Sequence, residues 1–94
     1  MPEIVDEKDV SRFALDEDGY VAQLVYRLDG DRLVLEHAEV PGELGGRGIG
    51  GRLVRAALTR AEEEHLTVVP ECSYARKWLE DHPDERANVT VDFP

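Results

Sequence analysis

The sequence predicts an α/β domain built on a mixed, mostly antiparallel sheet with one β-α-β crossover. Three observations predict it. Two Asp-Gly turns separate three alternating apolar runs, the hydrophobic period becomes helical from Ile49, and a β-branched run follows that helix. Strands joined by tight turns pair antiparallel, whereas strands joined through a helix run parallel. The element order is β-β-β-α-β-α, with a last alternating segment at the C terminus. Ninety-four residues make one small domain, 1–94, whose least ordered parts are expected at 1–10 and 84–94.

Residues 1–10 are polar, and only Ile4, Val5 and Val10 are spaced to join a sheet. Phe13 and Leu15 alternate with Arg12, Ala14 and Asp16 as a short strand, and Asp18-Gly19 then favours a tight turn. Tyr20, Ala22, Leu24, Tyr26 and Leu28 share one face of the next run, opposite Gln23 and Arg27. Asp29-Gly30-Asp31 leads into a third strand, Leu33 to Val40, which Pro41 ends because proline supplies no ladder donor. Ile49, Leu53, Val54, Ala57, Leu58 and Ala61 form a helical stripe, with Arg52, Arg55, Arg60, Glu62 and Glu63 pointing away. Leu66 to Val69 reads as a strand stopped by Pro70. Ser73 is the expected N-cap of a second helix that buries Tyr74, Ala75, Trp78 and Leu79 and stops at Pro83, near His82. Val89, Val91 and Phe93 alternate as a final edge strand.

Composition narrows the function classes. Asp and Glu number 21 against 11 Lys and Arg, a formal net charge of -10. Such a polyanion repels nucleic-acid backbones and anionic lipid, whose binding depends on basic side chains. The one cysteine, Cys72, cannot close an internal disulfide, which suits a reducing compartment. No uncharged run approaches the ~20 apolar residues of a membrane span, and Met1 to Asp6 lacks the basic start of a signal peptide. A cytoplasmic domain binding neither nucleic acid nor membrane is expected.

The densest signal is the segment from Pro41 to Arg52, with six glycines between Gly42 and Gly51. That is more than a turn needs. Glycines at a strand-to-helix handover let backbone approach a ligand, and the free amides of a first helical turn bind anions such as a pyrophosphate. Charge order agrees. Arg47, Arg52 and Arg55 stand at the start of the helix and Glu62, Glu63 and Glu64 at its end, the reverse of what the helix dipole favours by ~0.3–1 kcal/mol per charge. A bound polyanion would compensate the arginines. Exposed arginine is also simply a good helix former. Gly46, Gly48 and Gly51 spell a dinucleotide-type GxGxxG with Glu71 downstream. However, a dinucleotide fold runs its strand straight into the first glycine, and here Pro41 to Gly45 intervene. No Gly-Lys-Ser/Thr is present, so this is not a P-loop.

Gly48-Ile49-Gly50 instead resembles the core of motif A of the GNAT acetyltransferase superfamily, Gln/Arg-x-x-Gly-x-Gly/Ala, with a strand before it and a helix after it. The run from His37 to Pro41, the glycine loop, Val68 to Tyr74, and His82-Pro83 together are similar to a compact single-domain GNAT-like subfamily over residues 10–90. The resemblance implies a minimal GNAT-like acyl-CoA N-acyltransferase fold, with acetyl-CoA as ligand and an amine as acceptor. It places the pantetheine arm between the strands Leu33–Val40 and Leu66–Val69. It also implies coenzyme contacts at Val40 and at Gly45, Gly46, Arg47, Gly48, Ile49, Gly50, Gly51 and Arg52. One position departs, since the Gln/Arg that opens motif A falls at Gly45; Arg47, two residues on, carries a charge.

The resemblance also implies a cysteine near the thioester at Cys72. A helix N-terminus can make such a thiol nucleophilic, and burial would make it inert. By the same resemblance Tyr74 is a candidate acid for the departing coenzyme thiolate; helical spacing alone reads it as core beside Trp78. Glu39 and His37 share a strand face and are candidate bases for the amine, or surface residues. The three histidines lack metal-ligand spacing, so no metal is expected. The acidic surface favours a cationic acceptor such as a polyamine, a lysine-rich segment or an amino-sugar. The alternative is a CoA-binding or protein-interaction module with little or no transferase activity, because the helices that usually wall an acceptor pocket are missing.

Overall fold

The computed structural model describes residues 3–94; Met1 and Pro2, which open both the predicted domain range and the segment read for a leader, lie outside the described residues. The strands are β1 (Val5–Glu7), β2 (Arg12–Glu17), β3 (Tyr20–Asp29), β4 (Arg32–Glu39) and β5 (Thr67–Pro70). Helix α1 (Ile49–Glu64) precedes β5 and α2 (Ser73–Asp81) follows it, with a 3-10 turn at Gly42–Leu44. The sheet order is β1-β2-β3-β4-β5, antiparallel up to β4 and parallel between β4 and β5. This is the mixed α/β architecture the sequence predicts, extended by β1.

Turn chemistry sets the meander. Asp18 and Gly19 both have positive φ, as a type I′ hairpin requires, and Gly30 takes positive φ at the first central position of the next turn, as type II′ requires. The helices cover the sheet face that carries Phe13, Leu15, Ala22, Leu24, Tyr26, Leu33, Leu35 and Val68, which form one core with the α1 stripe and with Ala75 and Leu79 of α2. All six stripe positions of α1 are buried. Each fully buried Leu or Ile contributes about 1.5–3 kcal/mol.

Several expectations are corrected. Arg60 does not point away: it is 9% exposed and folds back beneath α1, where Nη1 donates to the Tyr26 hydroxyl at 2.7 Å and to Asp6 at 3.0 Å. Tyr20 and Leu28 are exposed because β3 outruns the helix that covers its centre. Pro70 is the last residue of β5 and pairs in register with Leu35. The N-cap of α2 is Cys72, without a side-chain cap bond, and Ser73 is already helical. Only Ala75 and Leu79 of the predicted α2 face are buried; Tyr74 is 45% exposed and Trp78 half-buried. The C-terminal run makes a single parallel bridge, Val91 to Val68, rather than a strand.

Candidate active site

The parallel pair separates at one end. The β4–β5 ladder closes with Leu35 opposite Pro70, and the Cys72 amide donates to the Leu35 carbonyl at 2.8 Å. Beyond that point β4 runs on through Glu36 to Glu39, while the other chain turns away into α2. A β-bulge lies at the same level. Val25 pairs with His37 and Tyr26 with Leu35, so Glu36 is unopposed. Bulges bend a strand and increase its twist, which helps carry the end of β4 away from β5. Arg27 ties the bulge down from the open sheet face, pairing with Glu36 and lying 3.8 Å from Glu71.

At the head of this opening the chain passes from β4 into α1. Val40 packs against the core, and the buried Leu44 plugs the 3-10 turn into it. Gly45 is extended and its amide closes on the Gly42 carbonyl; a β-carbon there would lie 3.1 Å from that oxygen. Gly46 and Gly48 take positive φ, and Gly48 is the N-cap of α1 in the left-handed region. No side chain caps α1, no acid stands in its first turn, and the Arg52 amide donates to the Gly48 carbonyl. The amides of Ile49, Gly50 and Gly51 therefore lack intrahelical acceptors at a positive helix end, a donor set that fits an anion. Because the Ile49 side chain is core, only its amide can face a ligand.

Carboxylates of the chain itself hold Arg47 and Arg55, which amends the charge-order argument. Arg47 bonds Glu17 at 2.6 Å and Asp18 at 2.9 Å in the β2–β3 turn, and Nη2 donates to the Glu43 carbonyl. Hydrogen bonds to Asp18 and then Glu17 raise its pKa further. Arg55 makes a two-pronged pair with Glu85 and lies over the Trp78 ring; the hydrogen bond from Arg55 lowers the Glu85 pKa. Arg52 stands on the first turn of α1, half-buried.

The structure brings Cys72 and Tyr74 to the opening from α2. Cys72 stands where the strands part, 8% exposed and within the core cluster. The exposed Tyr74 lays its phenol against Gly50, at the first turn of α1. His37 and Glu39 are close to each other, with Nε2 and Oε2 3.7 Å apart. They project from the sheet face opposite the helices, each side chain 61% exposed. Sequence reasoning missed Leu44, the Glu36 bulge and the Glu17-Asp18 partners of Arg47. Only Leu44 left a signal, as a lone large apolar residue inside a glycine loop. Among the described residues no group of three or more His, Cys, Asp or Glu is arranged to hold a metal ion, and no helix is long and apolar enough to cross a membrane.

Known proteins resemble this chain in fold and in sequence. The NMR solution structure of a GCN5-like candidate N-acetyltransferase from Staphylococcus aureus superposes with a TM-score of 0.75 at 28% identity, covering 96% of this chain and 89% of that one. Protein NATD1 of Gallus gallus and of Homo sapiens are each 41% identical over 63 residues, 66% of this chain. The Xenopus tropicalis protein of the same name is 38% identical over the same length. The matched segment is 57% of the chicken protein, so the chain spans little more than half the length of these curated relatives. The family model described as GCN5-related N-acetyl-transferase matches residues 12–89, more than three-quarters of the sequence, and the chain belongs to that family.

Proposed function

We propose that this chain is a minimal, cytoplasmic N-acetyltransferase that binds acetyl-CoA in the β4–β5 opening and transfers its acetyl group to an amine. One observation carries the reading. The uncapped first turn of α1 lies at the head of a gap where β4 outruns β5 by four residues, Glu36 to Glu39. The amides of Ile49, Gly50 and Gly51, with the left-handed Gly48, would hold the pyrophosphate, supported by Gly46, Arg47 and Arg52. Gly45 and Val40 shape the loop and the strand end, and the unpaired edge of β4 would hold the pantetheine arm.

Bound acetyl-CoA supplies an activated thioester; the remaining chemistry belongs to the protein. Backbone amides of the stretch of β4 that outruns β5, Glu36 to Glu39, would stabilise the carbonyl oxygen as an amine nitrogen bonds to the carbon and the carbon–sulfur bond breaks. Tyr74 Oη holds a proton for the departing sulfur. Glu39 or His37, on the solvent-facing side of β4, accepts the proton from the amine, directly or through water. Cys72, at the foot of the opening, would pack beside the thioester.

A cationic acceptor suits the chain, whose formal net charge is -10 and whose Glu36 and Glu39 lie on the stretch of β4 that outruns β5. A second reading, a coenzyme-binding module with little turnover, is favoured by one feature. Four consecutive strands joined by tight turns precede the opening, so among the described residues no helix walls an acceptor pocket there.

Titration of acetyl-CoA by calorimetry, with ADP and NAD as controls, tests the binding reading. Selective binding of CoA species is expected. Gly48→Glu, which puts a like charge against the phosphates on a left-handed residue, is expected to weaken it ~100-fold or more. Gly48→Asn, neutral and tolerant of that φ, is expected to retain most affinity. Absence of any CoA binding refutes both readings. Binding without release of CoA thiol across a panel of amines leaves the module.

A further inference from the structure

The glycines of the loop divide into two groups. Gly46 and Gly48 have positive φ and need it; Gly50 and Gly51 are helical, buried, and have no positive φ. Glycine within a helix is worse than alanine, so residues 50 and 51 need a reason to be glycine other than backbone conformation. Close approach of a ligand is one, and α2 supplies a second. A β-carbon on Gly50 would fall 2.6 Å from Tyr74 Cζ and 3.0 Å from Cε2, with Oη closer still. One on Gly51 would fall 2.9 Å from Trp78 Nε1.

The two aromatics differ in their freedom to yield. Trp78 stacks on His82 with centroids 4.1 Å apart and rings 13° from parallel, and His82 Nδ1 lies 2.7 Å from the Trp78 carbonyl oxygen. Arg55, itself fixed by Glu85, lies 5.2 Å from the indole centroid. Tyr74 is 45% exposed and can swing outward. A methyl group at position 50 would therefore displace the phenol rather than the helix, carrying its hydroxyl away from the first turn of α1.

We propose that Gly50 is a positioning residue. The space left by its missing β-carbon seats the Tyr74 phenol against the coenzyme loop, and Gly51 seats Trp78 so that α2 approaches closely enough for this contact. The catalytic consequence rests on the reading of Tyr74 as the proton donor; the steric coupling does not.

The test uses Gly50→Ala, Tyr74→Phe and their combination, with tyrosines labelled with 13C at Cζ and Tyr74 assigned by its substitution. Gly50→Ala keeps the residue 50 amide, and turnover is compared at saturating acetyl-CoA so that any change in coenzyme affinity does not enter it. At saturating acetyl-CoA, turnover is expected to drop at least ~10-fold, to the level of Tyr74→Phe, with the double variant no slower. The Tyr74 resonance is expected to move. An unmoved resonance with normal turnover overturns the proposal. So does a large loss of affinity with turnover preserved, which would make residue 50 a ligand contact only.

Should no amine be acetylated, the function reading fails and the stability arm decides the coupling. Gly50→Ala is expected to lower Tm in the wild-type background and to lower it much less beside Tyr74→Ala. Equal losses in both backgrounds overturn the proposal. If Gly50→Ala alone does not fold, recovery of folding in Gly50→Ala/Tyr74→Ala supports the coupling, and failure to recover refutes it.

Discussion

At its C-terminal end α1 sets Arg60 against the Tyr26 hydroxyl, Asp6 and Glu64, and the His65 amide returns to the Ala61 carbonyl. At its N-terminal end the same helix starts from a left-handed glycine, with neither a capping side chain nor a first-turn acid. One end carries a buried polar network around Arg60, though Glu62 to Glu64 follow it with no basic residue in the last turn, and the other end has amides without intrahelical acceptors. In a helix selected for stability alone the N-terminal end would carry a capping side chain or a first-turn acid, because each contributes about 0.5–1 kcal/mol. The contrast separates the part of the molecule that holds the sheet from the part the family's chemistry would use. Substitutions at the two ends should therefore have separable effects, one on stability and one on binding.

The largest effect on stability is expected from Arg60→Met. It leaves Asp6 and the Tyr26 hydroxyl without their shared donor beneath the helix, and loses the cation–π contact with the Tyr26 ring. A loss of about 2–3 kcal/mol is expected in urea unfolding. Acetyl-CoA affinity under native conditions should stay within ~2-fold, since the network and the loop occupy opposite ends of a sixteen-residue helix. A matching loss of affinity would break the comparison, because the two ends would then be one cooperative unit.

Tyr26 sharpens the same contrast through pH. Burial, and then the hydrogen bond to Asp6, raise its pKa, while Arg60 acts the other way. An unfolded tyrosine ionises near ~10. The folded state keeps its proton longer, so the stabilisation is complete below that value and is lost as pH rises through the folded pKa. Wild type is expected to exceed Tyr26→Phe in stability by about 1 kcal/mol near neutral pH. The gap should narrow above roughly pH 10, as read from urea midpoints across the alkaline range. A gap constant to pH 11 would mean that the hydroxyl's proton plays no part in the network.

This division of the helix was only half legible in the sequence. The meander, the crossover and the α1 stripe follow from periods and turns that local chemistry dictates, and each stands where those rules put it. Arg60 did not, because an arginine on a helix reads as solvated until the fold brings a tyrosine 34 residues away beneath it. The bulge at Glu36 was hidden for a related reason, since one extra residue does not disturb the look of an alternating strand and shows only in pairing. The glycine run was legible as a loop. That two of its members answer to aromatics on α2 depends on an interhelical distance that no local pattern encodes.

Arg47 gives the smallest and most discriminating effect. It stands beside the uncapped end of α1, paired to Glu17 and Asp18, with its side chain 43% exposed. Exposed pairs of this kind are screened by water and contribute little to stability. Arg47→Gln should therefore leave Tm nearly unchanged. If Arg47 mainly ties the glycine loop to the β2–β3 turn, acetyl-CoA affinity should fall only about 3-fold, and by the same factor at low and high salt. If it leaves those carboxylates to pair with phosphate, the loss should exceed ~10-fold at low salt and shrink as salt screens the charge. The pairing with two carboxylates favours the first outcome. Calorimetric titration of the variant at two ionic strengths separates them, and the second outcome would make Arg47 the side chain that supplies the charge missing at Gly45.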